Sequence, residues 1–184
     1  MDRPLAHTAA KAESACEAAV AFWNRASAWC QERNSGKERA FFQLTPTLRG
    51  MSSGSDGFTD RAEILVGFRL PPDVVPTELA DQLRVLCGDY GRLEMIDSVQ
   101  PYRAEKNTAL VRAMLAAVRA AGGQPAFSLK TGTVDMNIVA PVWGCPAVAY
   151  GPGDSDLDHT PNEHIEIAEF ERAVSILETA LKLL

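Results

Sequence analysis

The fold of the first half of the chain is decided by residues 64–72, which read ILVGFRLPP. Ile64, Val66 and Phe68 recur at every second position, and this period is typical of a strand with one face buried. Arg69 then lies on the opposite face of the predicted strand. The two prolines that follow end the strand, because proline has no backbone N–H to donate to a neighbouring strand.

Further elements are predicted on both sides of this strand. A helix is expected over residues 11–33, where small and aromatic side chains recur at steps of three and four. The other expected elements are a strand at 39–49, a loop at 50–57, a helix from Pro76 that ends before Gly88, and a weak strand at 92–98. This order is typical of a ferredoxin-like α+β unit whose first strand is squeezed into residues 3–6 or absent.

A different pattern begins after Pro101. The expected elements are a helix at 107–121, a strand at 125–129, a short helical piece, a strand at 147–150 and a closing helix from about Ile167. The closing helix carries one apolar stripe, formed by Phe170, Val174, Leu177, Leu181 and Leu184. Alternating helices and strands predict a parallel sheet, but two strands are too few for one. We therefore expect two domains, at residues 1–101 and 102–184, the second completed by strands from elsewhere.

Composition excludes several classes of protein. The chain has 184 residues, 46% of them apolar, with 24 acidic and 18 basic side chains and a net charge of −6. Nucleic-acid binding is not expected, because it depends on clustered Lys and Arg. No apolar run approaches the roughly 20 residues that span a bilayer, so we expect no membrane association and a cytoplasmic location. The four cysteines form no C-x-x-C pair and are predicted to be reduced and mostly buried.

Two loops are candidate sites on their residues alone. The Gly- and acid-rich loop at 150–164 contains His159 and offers oxygen and imidazole donors of the kind that bind zinc or manganese. A solvated acidic loop explains it equally well. The segment 130–137, KTGTVDMN, leads from a predicted strand into a helical piece, where backbone N–H groups can bind an anion. An ordinary strand-to-helix turn is the alternative, and His7 and Arg69 alone would be ordinary exposed residues.

Three motifs in order resemble a known family: TGTVD at 131–135, GCPAVAYGPG at 144–153 and HTPNE at 159–163. They are similar to the C-terminal motifs of the di-zinc amidohydrolases that include acetylornithine deacetylase and succinyl-diaminopimelate desuccinylase. The segment 130–137 looks most like the acetyl-lysine deacetylase branch, which hydrolyses carrier-protein-linked lysine or ornithine. AHTA at 6–9 and GFRL at 67–70 are similar to motifs of the family's lid or dimerisation domain.

The resemblance implies roles for single residues. His159 would be a metal ligand, and His7 would reach across a homodimer formed by the lid domains to polarise the scissile carbonyl. Arg69 would bind a substrate carboxylate. The residues expected to line the substrate pocket are Thr131, Gly132, Thr133, Asp135 and Asn137. The implied cofactor is zinc, two ions per complete site, with other divalent metals as alternatives.

The family's remaining metal ligands and its general base have no counterpart in this sequence. An H-x-D pair and a Glu-Glu pair are both missing. The chain is therefore expected to be a lid followed by the C-terminal part of an α/β metallopeptidase catalytic domain, inactive alone. The sequence is compatible both with metal binding by this chain itself and with its absence. The complete enzyme would remove an acyl or carrier-protein group from the α-amino group of lysine or ornithine, in lysine or arginine biosynthesis. A non-catalytic dimerisation module and one half of a split enzyme remain as alternatives.

Overall fold

The computed structural model describes residues 1–5 and 12–184, with only the backbone of Tyr90. It divides into two compact units. Unit 1 comprises Met1–Pro101 and Lys130–Thr133, and unit 2 comprises Tyr102–Leu129 and Val134–Leu184. Unit 1 is α+β with one small sheet, while the described part of unit 2 is helical. No described helix is long and apolar enough to cross a membrane.

The sheet of unit 1 is antiparallel, with the order β1-β3-β2. Its strands are β1 (Asp2–Pro4), β2 (Thr45–Ser55) and β3 (Thr59–Arg69). The predicted first strand is thus present but short. The predicted loop at 50–57 is wrong, because β2 continues to Ser55 along β3 after an irregularity at Arg49. Pairing with β3 satisfies the backbone of these small and polar residues, which overrides their low strand propensity.

The β2–β3 turn is held by a carboxylate. The Asp56 Oδ1 atom accepts hydrogen bonds from the backbone N–H groups of Phe58, at 2.9 Å, and of Thr59, at 2.7 Å. These bonds hold the pKa of Asp56 below its ordinary value. Gly57 in the turn has a φ of 88°, a conformation that favours glycine.

Two helices complete unit 1. They are α1 (Ala15–Arg33) and α2 (Pro76–Cys87). Helix α1 begins with a capping box, in which the Ser14 hydroxyl accepts from the Glu17 N–H and the Glu17 carboxylate accepts from the Ser14 N–H. Residues 40–42 form a 3₁₀ turn where a strand was expected, and the weak strand expected at 92–98 does not form.

The core of unit 1 lies between these helices and one face of the sheet. Its buried members are Phe22, Ala26, Cys30, Leu44, Val74, Leu79, Leu83 and Cys87. Ile64 and Phe68 pack against this cluster, and Arg69 is exposed on the other face, which confirms the alternation along β3. Burial raises the pKa of the Cys30 thiol to about 11. Cys30 and Cys87 are buried, but Cys16 is exposed, so the prediction of mostly buried thiols holds for part of the set.

Unit 2 contains α3 (Ala109–Ala120), α4 (Met136–Trp143) and α5 (Ile167–Lys182). The predicted strands at 125–129 and 147–150 do not form, and residues 102–184 contain no sheet. Neither segment has a neighbouring strand among the described residues. A strand forms in a sheet only when the N–H and C=O groups of its backbone find hydrogen-bond partners on such a neighbour. The apolar stripe predicted on the closing helix is exposed: Phe170, Val174, Leu177 and Leu181 lie on α5, and Leu184 lies just beyond it. The helix instead buries Ala173, Ile176 and Ala180 against α3, because α3 is the element that covers it.

Candidate functional site

His159 lies in a loop built from three successive tight turns. Backbone N–H groups of Leu157, Thr160 and Glu163 each donate to a carbonyl oxygen three residues earlier, at 3.0, 3.0 and 3.1 Å. His159 has a φ of 64°, the left-handed region that non-glycine residues rarely adopt. Its N–H donates to the Glu163 Oε2 atom at 2.8 Å, which stabilises this conformation. Hydrogen bonds within residues 154–163 therefore support the backbone conformation at His159.

The donors of this loop do not converge on one point. The side chains of Asp154, Asp156, Asp158, His159, Glu163 and His164 are all exposed. The Glu163 carboxylate binds the backbone of His159, and the Nδ1 atom of His164 lies 2.7 Å from the Asn162 carbonyl oxygen. Among the residues that the structure describes, no group of three His, Cys, Asp or Glu side chains could hold a metal ion. The donors present do not fit a metal centre, although His159 is accessible as one ligand.

The segment predicted to line the substrate pocket forms a turn that leads into α4. The Asn137 side-chain oxygen accepts from the Val134 N–H at 3.1 Å, and the Asn137 N–H donates back to the Val134 carbonyl at 2.8 Å. Asp135 precedes the helix, is exposed and makes no side-chain capping hydrogen bond. Asn137 therefore has a structural role in this turn beside the predicted role in binding.

Gly132 lies in open space. A Cβ atom added to this residue would meet no heavy atom within 4 Å, and its backbone is outside the left-handed region. Thr131 and Thr133 on either side are exposed. The fold of the described residues thus does not require a glycine at position 132.

Arg69 ends β3 on the exposed face of the sheet. Its guanidinium donates to the Thr45 Oγ1 atom at 3.2 Å, and Thr45 is the residue opposite it in the register of β2 and β3. Thr45 was not predicted as a partner, although cross-strand residues of one face are neighbours. The contact holds the guanidinium at the end of the sheet. A guanidinium has further N–H donors, and such donors suit a carboxylate.

The predicted site residues are distributed over both units. Arg69 and residues 131–133 belong to unit 1, whereas Asp135, Asn137 and His159 belong to unit 2. Asp135 and Asn137 lie together in one turn, and His159 lies in a separate loop of the same unit. His7 lies outside the described residues.

The chain matches the family model described as Peptidase family M20/M25/M40 over residues 13–183. It belongs to this family of hydrolases. It is 40% identical over 179 residues to a LysW-lysine hydrolase of Deinococcus radiodurans, across 95% of this chain and 49% of that protein. It is also 41% identical over 119 residues to a putative LysW-lysine/LysW-ornithine hydrolase of Pyrococcus furiosus, across 65% of this chain and 32% of that protein.

A solved structure shows the same fold. It is an M20 family metallo-carboxypeptidase from Sulfolobus solfataricus, with a TM-score of 0.63 and 23% identity. The match covers 85% of this chain and 42% of that one. The chain spans about half the length of the Deinococcus radiodurans relative. The three motifs, taken together, correctly indicated the family and its branch.

Proposed function

We propose that this chain is part of a metal-dependent hydrolase that releases lysine or ornithine from LysW, a carrier protein attached to the α-amino group of the amino acid. The observation that carries the proposal is the 40% identity to the Deinococcus radiodurans relative across 95% of this chain. The relative's name states a hydrolysis of LysW-lysine. The setting of this reaction would be lysine or arginine biosynthesis in the cytoplasm.

In this proposal residues 1–101 are a lid and dimerisation domain, and residues 102–184 are the C-terminal portion of the catalytic domain. Among the described strands, β2 pairs only with β3, and its other edge supports a homodimer through the lid. His7 would then polarise the scissile carbonyl in the partner subunit. Within the subunit, His159 would give one nitrogen ligand to the metal.

Arg69 is the residue proposed to bind the substrate carboxylate. A guanidinium forms paired hydrogen bonds with a carboxylate, and the position of Arg69 at the exposed end of β3 suits that contact. The residues proposed to line the substrate pocket are Thr131, Gly132, Thr133, Asp135 and Asn137. The complete enzyme would use zinc, which supplies a Lewis acid and an activated water when bound.

The first test is an assay of hydrolysis with LysW-linked lysine and LysW-linked ornithine, in the presence of zinc. We expect no hydrolysis by the 184-residue chain alone above a zinc-only control. Co-expression with the part of the Deinococcus radiodurans relative outside the matched region should restore activity. Hydrolysis by the chain alone would refute its proposed dependence on other residues, and no hydrolysis by a complete assembly would refute the proposed substrate.

Arg69→Ala tests the substrate carboxylate in that assembly. Loss of a charge-assisted pair should raise KM about tenfold or more, with a smaller change in kcat. Arg69→Lys should recover only part of the loss, because an ammonium cannot form the paired contact. Arg84→Ala is the matched control, since Arg84 is an exposed arginine of α2 whose partner is Asp81. An equal effect of both alanine variants would exclude a specific role for Arg69.

Zinc calorimetry tests the role of His159. We expect weak binding to the chain alone that His159→Ala leaves unchanged. In the co-expressed assembly, the same substitution should lower the metal content. Tight binding by the chain alone, lost in His159→Ala, would mean that the acidic loop is a metal site of its own.

A further inference from the structure

A second arginine, Arg49, lies on the same face of the sheet as Arg69. The register of β2 and β3 shifts between Leu48 and Gly50, so Arg49 is the extra residue of a β-bulge in β2. Its side chain crosses to β3, because its Nε and Cγ atoms lie 3.4 and 3.5 Å from the point that a Cβ atom of Gly67 would occupy. Gly67 and Arg69 are two residues apart in β3 and therefore share a face, the one opposite the helices. We name Arg49 and Arg69 the arginine pair.

Gly67 provides the space in which the Arg49 side chain lies. The backbone of Gly67 belongs to a strand and is outside the left-handed region, so its conformation does not require glycine. A Cβ atom at this position would already touch Arg49, and a larger side chain would extend into the space that the arginine occupies. The glycine of the GFRL motif therefore allows Arg49 to lie across β3, next to Arg69.

The spacing of the arginine pair suits a ligand with two negative charges. Arg69 contacts Thr45, its partner in the register of β2 and β3. Arg49 lies over Gly67, which is one same-face step away from Arg69 along β3. Such a step is about 7 Å, because a strand rises by roughly 3.4 Å per residue. One small molecule can therefore place a carboxylate on each guanidinium.

Arg49 has no acidic partner among the residues that the structure describes. The neighbouring residues on its face of the sheet are uncharged, namely Thr45, Thr47 and Leu65. Arg61, further along the same face of β3, differs in this respect because it is paired with Asp2 at 2.9 Å. The arginine pair is therefore a place of excess positive charge, which attracts an anionic ligand.

We propose that Arg49 binds a carboxylate on the acyl side of the substrate, while Arg69 binds the carboxylate of the amino acid. This inference rests on the proposed function, because it concerns the same substrate. An α-amino-acylated lysine or ornithine carries a carboxylate, a side chain that ends in an ammonium, and the acyl group on its α-nitrogen. A guanidinium repels the ammonium, so the group that meets Arg49 is the acyl group. The carrier segment beside the scissile amide is therefore expected to bear a carboxylate.

The test measures binding rather than hydrolysis, so that its result does not depend on the proposed reaction. The probes are Nα-glutaryl-lysine and Nα-pentanoyl-lysine, whose acyl chains have the same length but of which only the first ends in a carboxylate. NMR of the 184-residue chain follows the Nε–H signals of its arginines during each titration. The signals of Arg49 and Arg69 should both shift with the glutaryl probe, whereas only that of Arg69 should shift with the pentanoyl probe.

Variants separate the two arginines. Arg49→Ala should raise the Kd of the glutaryl probe about tenfold, to that of the pentanoyl probe, and change the latter by no more than about twofold. Gly67→Val should have the same selective effect, because it displaces the Arg49 side chain but retains its charge. Arg61→Ala is the matched control and should leave both Kd values unchanged, since Arg61 lies on the same face but is paired with Asp2.

Several results would overturn the inference. They are the absence of binding of either probe, equal Kd values for the two probes, an equal loss of both in Arg49→Ala, and displacement of the glutaryl probe by inorganic phosphate at the same concentration. Hydrolysis of LysW-linked lysine by the complete assembly, with any of these results, would leave the proposed function intact. Selective binding of the glutaryl probe without hydrolysis by the assembly would refute the proposed function and leave the arginine pair as a site for two carboxylates.

Discussion

The two units of this chain bury their apolar side chains to different extents. Unit 1 encloses Leu44, Leu79 and Leu83 between two helices and a sheet, and each is at most 6% exposed. Unit 2 covers one face of α5 with α3, while Leu177 and Leu181 on its other face are 47% and 65% exposed. The comparison teaches that an apolar stripe on a helix becomes a core only when a second element is present to cover it. Stability is therefore expected to be concentrated in unit 1.

The largest effect should come from truncating a leucine in each unit. Leu44→Ala removes a fully buried side chain and should lower the free energy of unfolding by about 2 to 5 kcal/mol. Leu177→Ala should change it by less than about 0.5 kcal/mol, because that side chain is already half in water. Urea unfolding followed by circular dichroism measures both. Equal costs for the two variants would show that the face of α5 that carries Leu177 is covered in solution.

The second-largest effect should come from removing a polar contact between Asn34, which follows α1, and Leu44, which precedes β2. The Asn34 side chain accepts from the Leu44 N–H at 2.9 Å and donates to the Leu44 carbonyl at 2.8 Å. Asn34→Ala should cost about 1 to 3 kcal/mol, because it leaves backbone groups of a buried residue unpaired. Ser35→Ala, at the exposed neighbouring position, is the control in the same urea titration. A loss no larger than that of the control would mean that water replaces the amide.

Substitutions at two helix N-caps should change the free energy of unfolding by smaller amounts, and in opposite directions. Ser14→Ala should destabilise unit 1 by about 1 kcal/mol, because the capping box of α1 is lost. The N-cap residue of α5 is Glu166, which makes no side-chain capping hydrogen bond, and Glu169 lies three residues later. Glu166→Ser should therefore stabilise α5 by up to about 1 kcal/mol. Hydrogen exchange resolved by unit measures both changes, and an effect of either variant on the other unit would show that the units unfold together.

The smallest expected effect is a pH dependence of the stability of unit 1. Hydrogen bonds from Phe58 and Thr59 lower the pKa of Asp56 in the folded chain, and one from Arg61 lowers the pKa of Asp2. A lowered folded pKa stabilises the fold above the unfolded pKa of about 3.9, and this contribution is lost as the pH falls through the folded pKa. Asp56→Asn should therefore flatten the decrease in stability below about pH 4, as measured by urea titrations at several pH values. An unchanged pH profile would contradict this assignment.

Much of unit 1 could be predicted from sequence. The limits of α2 follow from Pro76 and Gly88, and the buried face of β3 follows from the alternation of Ile64 and Phe68. The continuation of β2 to Ser55 could not be predicted, because its residues favour a loop and only pairing with β3 makes them a strand. In the candidate site, the motifs identified the family and its branch. They did not predict that Glu163 binds the backbone of His159, since that contact depends on the conformation of the loop.

The sequence by itself determined where the helices lie, because caps, prolines and the 3.6-residue period act within a few residues. It also carried the family motifs from Thr131 to Glu163. Only the tertiary structure decided that α5 buries Ala173 and Ile176 rather than Phe170 and Leu177, and that residues 125–129 and 147–150 form no strands. Burial of a face and pairing of a strand both require an element that is distant in sequence. No local pattern specifies whether that element is present.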